Sequence, residues 1–242
     1  MKKIVIAGAS SGIGYEVAKQ YIEKGWQVVV AARRTDRLEK LVELAPERVT
    51  AVTLDITADN APQILLTMLD GDTKTDVYFH VAGVGHNNIP LDLEKETKTV
   101  ATNAKGFVQC VATAFNYFRE HGGGHIAVVS SIAGTKGLGS APAYSATKRM
   151  QSHYIQSLAR LSKMTHANIK FTDIRPGFIE TDLLADGNTY PMKLSLNYAA
   201  KRIFKALIHQ RRNAIIDWKY WFLVQFWKAI PNWIWERLPW NL

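Results

Sequence analysis

With 242 residues, 47% of them hydrophobic, the chain is long enough to bury one full core, and its single cysteine, Cys110, excludes a disulfide within the chain. The net charge of +9 is concentrated in residues 193–242, which hold nine lysines and arginines and two acidic residues, so no nucleic-acid-binding surface spread over the fold is indicated. No apolar signal region follows Met1, and we expect a cytoplasmic, single-domain protein.

Short apolar runs alternate along the chain with longer segments of helical periodicity, which is the pattern of a parallel sheet with crossover helices. Nearly every position in these runs is apolar, as expected for strands covered by helices on both faces. The predicted strands are 3–7, 27–31, 49–54, 77–81, 125–129, 169–174 and 214–216. The predicted helices are 13–24, 37–44, 60–69, 92–119, 143–164 and 196–209. The pattern therefore predicts an α/β fold, a doubly wound seven-stranded sheet within residues 1–216.

The first strand runs into a glycine-rich turn, Gly8 to Gly14, and then into a helix. Glycines at such a turn let backbone N–H groups approach a pyrophosphate at the positive end of the helix. A tight strand-to-helix turn also needs glycine for steric reasons, so both interpretations stay open at this point.

The same turn also spells Gly-x-Ser-x-Gly around Ser10, the pattern of a serine hydrolase nucleophile on a strand-turn-helix. In that fold the strand before the nucleophile is preceded by several others, whereas here it is the first strand of the chain. A hydrolase is therefore the weaker alternative.

The second predicted strand is followed by Arg33 and Arg34. A cofactor with a free ribose 2′-hydroxyl would instead use an acidic partner about 20 residues beyond the first glycine. A guanidinium offers charge-assisted contacts to a 2′-phosphate, so the pair predicts NADP(H). The alternative is two arginines on an ordinary solvated loop.

Tyr144 and Lys148 are four residues apart, which places a phenol and an ammonium on one face of a helix. The spacing alone is weak evidence, because Tyr15 and Lys19 repeat it directly after the glycine turn. Tyr144 differs in context: the predicted strand 125–129 leads into Ser130 and Ser131, and Ser131 lies 13 residues before Tyr144.

Together with Asn103 and the glycine turn, this arrangement resembles the short-chain dehydrogenase/reductase family over residues 3 to about 215. The resemblance implies a Rossmann-like domain and a catalytic tetrad of Asn103, Ser131, Tyr144 and Lys148. It also implies that residues along the strand ends contact NADP(H). These residues are Gly8, Ser10, Ser11, Gly12, Ile13, Gly14, Arg33, Arg34, Asp55, Ala82, Gly83, Tyr144, Lys148, Pro176, Gly177 and Thr181.

One departure from the family pattern is visible after the fourth strand. The family usually has Asn-Ala-Gly there, and this chain has Val81-Ala82-Gly83, preceded by His80. The asparagine is thought to brace the sheet in that family. The departure therefore bears on stability and not on chemistry.

The resemblance implies reduction of a carbonyl or oxidation of an alcohol, with Tyr144 as the general acid and base. Lys148 would favour the phenolate, Ser131 would polarise the substrate oxygen, and Asn103 would position a water that links Lys148 to solvent. The alternative is a sensor that binds NADPH without turnover. A sensor has no need of all four tetrad residues.

No metal site is predicted. His121 and His125 have helical spacing for metal ligands, but three glycines separate them. A glycine turn leading into the fifth strand explains them better.

Residues 217–242 form an aromatic and basic extension with six of the seven tryptophans: Trp218, Trp221, Trp227, Trp233, Trp235 and Trp240. Its uncharged runs are too short to span a bilayer. Tryptophan mixed with lysine and arginine is typical of membrane interfaces, which favours peripheral contact with the inner face of a membrane and a hydrophobic substrate. The alternatives are a cover for the substrate cleft or the interface of a homodimer or homotetramer.

Overall fold

The computed structural model describes residues 1–182, 190 and 192–239, and it contains one parallel seven-stranded sheet in the order β3-β2-β1-β4-β5-β6-β7. After β3 the chain crosses back over β2 and β1, and β4 pairs with β1 on the side opposite to β2. The strand order therefore reverses between β1 and β4, whose carboxyl ends lie side by side. This confirms the predicted fold class. The strands are β1 (Lys3–Ala7), β2 (Gln27–Ala32), β3 (Val49–Thr53), β4 (Val77–His80), β5 (Gly124–Val129), β6 (Ile169–Pro176) and β7 (Asn213–Ile216).

Nine α-helices lie within the described residues, and they connect or follow the strands. They are α1 (Gly12–Glu23), α2 (Thr35–Val42), α3 (Ala61–Leu69), α4 (Leu93–Val100), α5 (Phe107–Glu120), α6 (Pro142–Met164), α7 (Leu196–Ile208), α8 (Trp218–Ala229) and α9 (Asn232–Trp235).

Two apolar clusters cover the two faces of the sheet, because successive residues of a strand point to opposite sides. In β1, Ile4 and Ile6 belong to the first cluster, which includes residues of α1, α2, α7 and α8. Val5 and Ala7 belong to the second, with residues of α3, α5 and α6. All five residues of β1 are buried, which explains why Ile4 to Ala7 are apolar without alternation.

The segment predicted as one helix over residues 92–119 is helical from Leu93 to Glu120, but it is not α-helical throughout. Between α4 and α5 the chain forms a π-helical segment, Ala101–Gly106, with Asn103 inside it. At Gly106 an added Cβ would lie 2.7 Å from the carbonyl oxygen of Ile56, so glycine permits a close approach here. Hydrophobic periodicity does not reveal one widened turn, which is why the sequence predicted a single helix.

The aromatic extension is folded against the domain through α8 and α9, two helices that the sequence did not predict. The Asp217 carboxylate caps α8 by accepting a hydrogen bond from the backbone N–H of Lys219 (3.1 Å). Tyr220, Val224 and Trp227 join the first apolar cluster. Within the described residues no helix is long and apolar enough to cross a bilayer. Trp240 lies outside those residues.

We expect Tyr220→Ala to lower the free energy of unfolding by about 3–5 kcal/mol, because the ring is fully buried. Its hydroxyl also accepts a hydrogen bond from Phe178 N (3.1 Å) and donates one to Met192 O (2.9 Å). Phe226→Ala on the same helix is the matched control, since Phe226 is 55% exposed and its loss should change stability by only about 0.5 kcal/mol. Urea unfolding of both variants checks this. If both variants lost the same free energy of unfolding, the described packing of α8 would be wrong.

Candidate active site

A cleft of about 1150 Å³ opens at the carboxyl edge of the sheet. In doubly wound folds ligands bind at this edge, where the strand order reverses. Most of the predicted site residues line the cleft: Gly8, Ser10, Ser11, Gly12, Ile13, Arg33, Arg34, Asp55, Ala82, Gly83, Ser131, Tyr144, Lys148, Pro176, Gly177 and Thr181. The structure thus brings sequence-distant residues into one site. Gly14 and Asn103 are not among the lining residues and lie behind it.

The glycine turn forms a tight cradle between β1 and α1. Gly8 has φ +95°, and an added Cβ would lie 2.5 Å from Ala82 N in the neighbouring strand end. A Cβ at Gly14 would press into the carbonyl oxygen of Gly8. No side chain among the described residues caps the first turn of α1, so its N–H groups stay available to an anionic ligand.

Basic side chains lie at the end of the cleft next to this turn. The Arg34 guanidinium donates to Ser10 Oγ (3.2 Å) and Ser11 Oγ (3.1 Å). A guanidinium cannot act as a general base, so this contact gives no support to a hydrolase in which Ser10 is the nucleophile.

Asp55 lies in the same part of the cleft, and hydrogen bonds keep it ionised. Its Oδ1 accepts from Thr57 N (2.9 Å) and Thr57 Oγ1 (2.7 Å). The pKa of Asp55 is lowered mainly by the backbone bond from Thr57, with a further contribution from the charge of Arg33.

Tyr144 and Ser131 meet in the centre of the cleft. Tyr144 lies in the first turn of α6, and Ser131 follows β5 and caps a short 3₁₀ turn, accepting from Ala133 N at 3.1 Å. Burial raises the pKa of Tyr144, while a hydrogen bond with Ser131 lowers it in part. The phenol therefore keeps its proton at neutral pH.

Lys148 lies one turn along α6 with its ammonium buried. Its Nζ donates to Val129 O (2.9 Å) and Gln151 Oε1 (3.1 Å), and it lies 5.7 Å from the centre of the Tyr144 ring. Burial lowers the pKa of Lys148 to about 8, and the negative charge of Asp173 opposes this shift. The amine is consequently near its titration point at neutral to slightly basic pH.

Asn103 is held behind the cleft by the π-helical segment. Its side-chain amide donates to Val84 O (2.7 Å) and accepts from Val84 N (2.9 Å). Its backbone carbonyl oxygen accepts from Gln151 Nε2 (2.9 Å). Gln151 thus connects Asn103 to Lys148 directly.

Gln151 is a residue that the sequence analysis missed. It is 1% exposed and lies three positions after Lys148, on the same face of α6. That spacing was the available signal, but many helices carry a polar pair at this interval.

The departure at Val81 leaves the end of β4 intact. The backbone N–H groups of Val81 and Ala82 both donate to Ala7 O, at 2.8 and 2.9 Å, and the Val81 side chain packs against the first apolar cluster. His80 is fully buried, and its Nδ1 lies 2.8 Å from the Tyr78 hydroxyl. Burial, with a smaller effect of the Lys148 charge, lowers the pKa of His80 to about 3, so its ring is neutral.

Apolar side chains also line the cleft, beside polar ones such as Asn87, Lys95 and Ser140. The apolar lining residues are Val84, Ile89, Leu138, Phe178 and Trp227. Of these, only Trp227 lies in a segment, 217–242, for which the sequence left a cover of the substrate cleft as an alternative; the other four were not among the predicted site residues. Tyr190 and His86 also line the cleft. The segment between β6 and α7 also contributes to the cleft, although its residues 183–189 and 191 lie outside the described part of the chain.

The histidine pair before β5 has ordinary structural partners. His121 Nδ1 lies 2.7 Å from Tyr117 O, and His125 Nε2 lies 2.8 Å from Thr172 Oγ1. Among the residues that the structure describes, no three histidine, cysteine or acidic side chains form a group that could hold a metal ion.

Comparison with known proteins places the chain among oxidoreductases. Residues 2–190 match the family model described as short chain dehydrogenase. An uncharacterized oxidoreductase of Listeria monocytogenes is 33% identical over 190 residues, which are 76% of each chain. An uncharacterized oxidoreductase of Mycobacterium tuberculosis is 28% identical over 232 residues, covering 91% of this chain and 90% of the relative.

A solved structure supports the fold independently of close sequence similarity. A short chain dehydrogenase from Burkholderia cenocepacia, in complex with NADP, superposes with a TM-score of 0.83 at 18% identity and covers 99% of both chains. At this identity the likeness concerns the fold alone. The family model, the relatives and the parallel sheet agree, and the chain belongs to the short-chain dehydrogenase family of oxidoreductases.

Proposed function

We propose that the protein is an NADPH-dependent reductase of hydrophobic ketones or aldehydes, with the corresponding alcohol as product. The observation that carries this proposal is the half-buried Tyr144 phenol, which lines the cleft together with Ser131 and lies one helical turn from the buried Lys148 ammonium. A phenol that keeps its proton is ready to act as an acid, which is the form needed for reduction.

The described residues fit a dinucleotide phosphate. The glycine turn lets backbone N–H groups approach a pyrophosphate at the start of α1. The Asp55 carboxylate would accept hydrogen bonds from the adenosine part of the dinucleotide. Arg33 and Arg34 are exposed at the cleft, where guanidinium groups would pair with a 2′-phosphate. An aspartate at this place would repel that phosphate.

A bound nicotinamide would supply the hydride that reduces the carbonyl carbon. Ser131 donates a hydrogen bond to the carbonyl oxygen and polarises it, and Tyr144 gives its proton to the same oxygen as negative charge develops there. The ammonium of Lys148 stabilises the phenolate that remains, and with a pKa of about 8 it can return a proton to Tyr144. Gln151 and Asn103 hold Lys148 in place.

Aliphatic and aromatic side chains in the lining of the cleft support an apolar substrate. Ile89 is 68% exposed in this lining, so an apolar substrate would cover surface that now faces water. A sensor that binds NADPH without turnover would not require the connected set of Ser131, Tyr144, Lys148 and Asn103. Turnover of carbonyl compounds of graded chain length with NADPH separates the two functions.

We expect Tyr144→Phe to lower kcat by roughly 10²–10⁴-fold, because it removes the proton donor and keeps the ring. NADPH affinity, measured by fluorescence titration, should stay near that of the unchanged protein. Tyr15→Phe is the matched control, since Tyr15 has the same spacing to Lys19 but lies outside the cleft lining. If Tyr144→Phe retains more than a few per cent of kcat, Tyr144 is not the general acid.

NADPH should be preferred over NADH, and Arg33→Asp should reverse the order of kcat/KM for the two cofactors. The substitution replaces a cation that can pair with the 2′-phosphate by a like charge. Lys40→Asp makes the same change in net charge on α2, away from the cleft, and should leave the preference unchanged. Equal kcat/KM for NADPH and NADH in the unchanged protein would contradict the cofactor assignment.

The reductive kcat/KM for NADPH should fall as pH rises through about 8, because Lys148 is charged below its pKa of about 8 and neutral above it. Neutralisation removes the charge that stabilises the Tyr144 phenolate, so the fall should approach tenfold per pH unit. Circular dichroism over the same range controls for unfolding. A flat profile between pH 6.5 and 9.5 would show that the charge of Lys148 does not limit the reaction.

A further inference from the structure

Helix α8 is apolar on two opposite faces. Its buried face, with Tyr220, Val224 and Trp227, belongs to the core of the domain. The other face carries four exposed aromatic residues at helical spacing, which we name the aromatic stripe. They are Trp218 (58% exposed), Trp221 (49%), Phe222 (62%) and Phe226 (55%). About two helical turns of large aromatic rings facing water are unusual on a folded surface and mark an interaction site.

Two lysines border the aromatic stripe. At about 100° per residue, Lys219 and Lys228 lie about 180° apart around the helix, one on each side of the stripe. Both are exposed, and no acidic residue occurs in the sequence of α8. Aromatic rings between long basic side chains form a surface whose centre is apolar and whose margins are cationic.

The same pattern continues beyond α8. Trp233 is 62% exposed, and the Arg237 guanidinium lies 5.6 Å from the centre of its ring. The chain here is fixed to the domain, because Lys136 Nζ donates to Ile230 O (2.7 Å) and Trp235 Nε1 donates to Gly137 O (2.7 Å). The surface is therefore formed before any partner arrives, and binding does not have to fold it.

Charge decides which partner fits this surface. A second copy of the chain packed stripe to stripe would bring lysines together with no carboxylate on either α8 to pair them. An anionic bilayer supplies both complements: an interfacial region in which tryptophan and phenylalanine rings are buried, and phosphate groups at the level of the lysines. We propose that the aromatic stripe, with Lys219 and Lys228, docks the protein on the surface of an anionic lipid bilayer.

The docking helix is also a wall of the active-site cleft. Trp227, on the face opposite the stripe, lines the cleft, and the Tyr220 hydroxyl joins α8 to the backbone at Phe178 and Met192. Docking would therefore place the apolar part of the cleft within one helix diameter of the lipid. Given the reductase function proposed above, the substrate class is a carbonyl compound dissolved in the bilayer.

The test is sedimentation of the full chain with vesicles of phosphatidylcholine containing phosphatidylglycerol, at low and at high salt. The protein should sediment with these vesicles at low salt, remain in solution with pure phosphatidylcholine, and be released by high salt. Lys219→Glu/Lys228→Glu should weaken binding by at least tenfold. Trp221→Ser/Phe222→Ser should weaken it similarly without lowering the Tm measured in buffer.

Lys40→Glu/Lys163→Glu is the matched control, because it makes the same change in net charge on α2 and α6 and should bind as the unchanged protein does. Loss of binding in this control would mean that net charge alone attracts the vesicles, and the proposed surface would be wrong. It would also be wrong if the unchanged protein stays in the supernatant at low salt. If the aromatic variant instead changes particle size in sedimentation velocity and no variant binds lipid, the stripe is an interface between copies.

Reduction of a short, water-soluble aldehyde in buffer keeps this proposal separate from the proposed function. Variants of the aromatic stripe should retain that activity, since their side chains do not line the cleft. Vesicle binding without any reductase activity would support docking and contradict the reductase. Reductase activity without vesicle binding would support the reductase and contradict docking.

Discussion

The buried amine of Lys148 is the constraint on which the rest of the site depends. An ammonium removed from water is costly unless other groups replace its hydration, and Val129 and Gln151 supply two acceptors at 2.9 and 3.1 Å. The surroundings follow from this need. Gln151 is held in turn by the backbone of Asn103, and the neighbouring His80 stays neutral, so it adds no second positive charge. The π-helical segment belongs to the same arrangement, because Asn103 lies within it.

The sheet supplies the place for this arrangement. Parallel strands end at one edge, so residues separated by more than a hundred positions, such as Gly8 and Tyr144, line one cleft. The helices then orient the groups of the site. The N-terminus of α1 lies at the glycine turn, and α6 carries Tyr144 and Lys148 on one face. Tyr144 and Lys148 are thereby positioned by one rigid helix, and the other groups of the cleft lie in the short turns that follow the strands.

The sequence predicted the parts of the structure that local patterns determine. Apolar runs gave all seven strands, and the order of Ser131, Tyr144 and Lys148 indicated the site, because these residues follow strand ends or share a helix face. It did not reveal the π-helical segment or the role of Gln151, which depend on contacts between distant elements. Helix α8 was also missed. Its apolar residues occupy both faces, so it shows no amphipathic period, and its partners are known only once the fold is formed.

The packing of Tyr220 has a consequence for how the chain can change over evolution. An added Cβ at Gly177 would collide with the Tyr220 ring, so the turn at Pro176 and Gly177 and the first turn of α8 fill one shared volume. Replacing residues 217–242 by the corresponding segment of a relative would leave a gap or an overlap beneath this turn, unless position 177 changed with it. The carboxyl-terminal segment is thus not an exchangeable module. Co-variation between positions 177 and 220 should record this dependence among relatives that carry a similar segment.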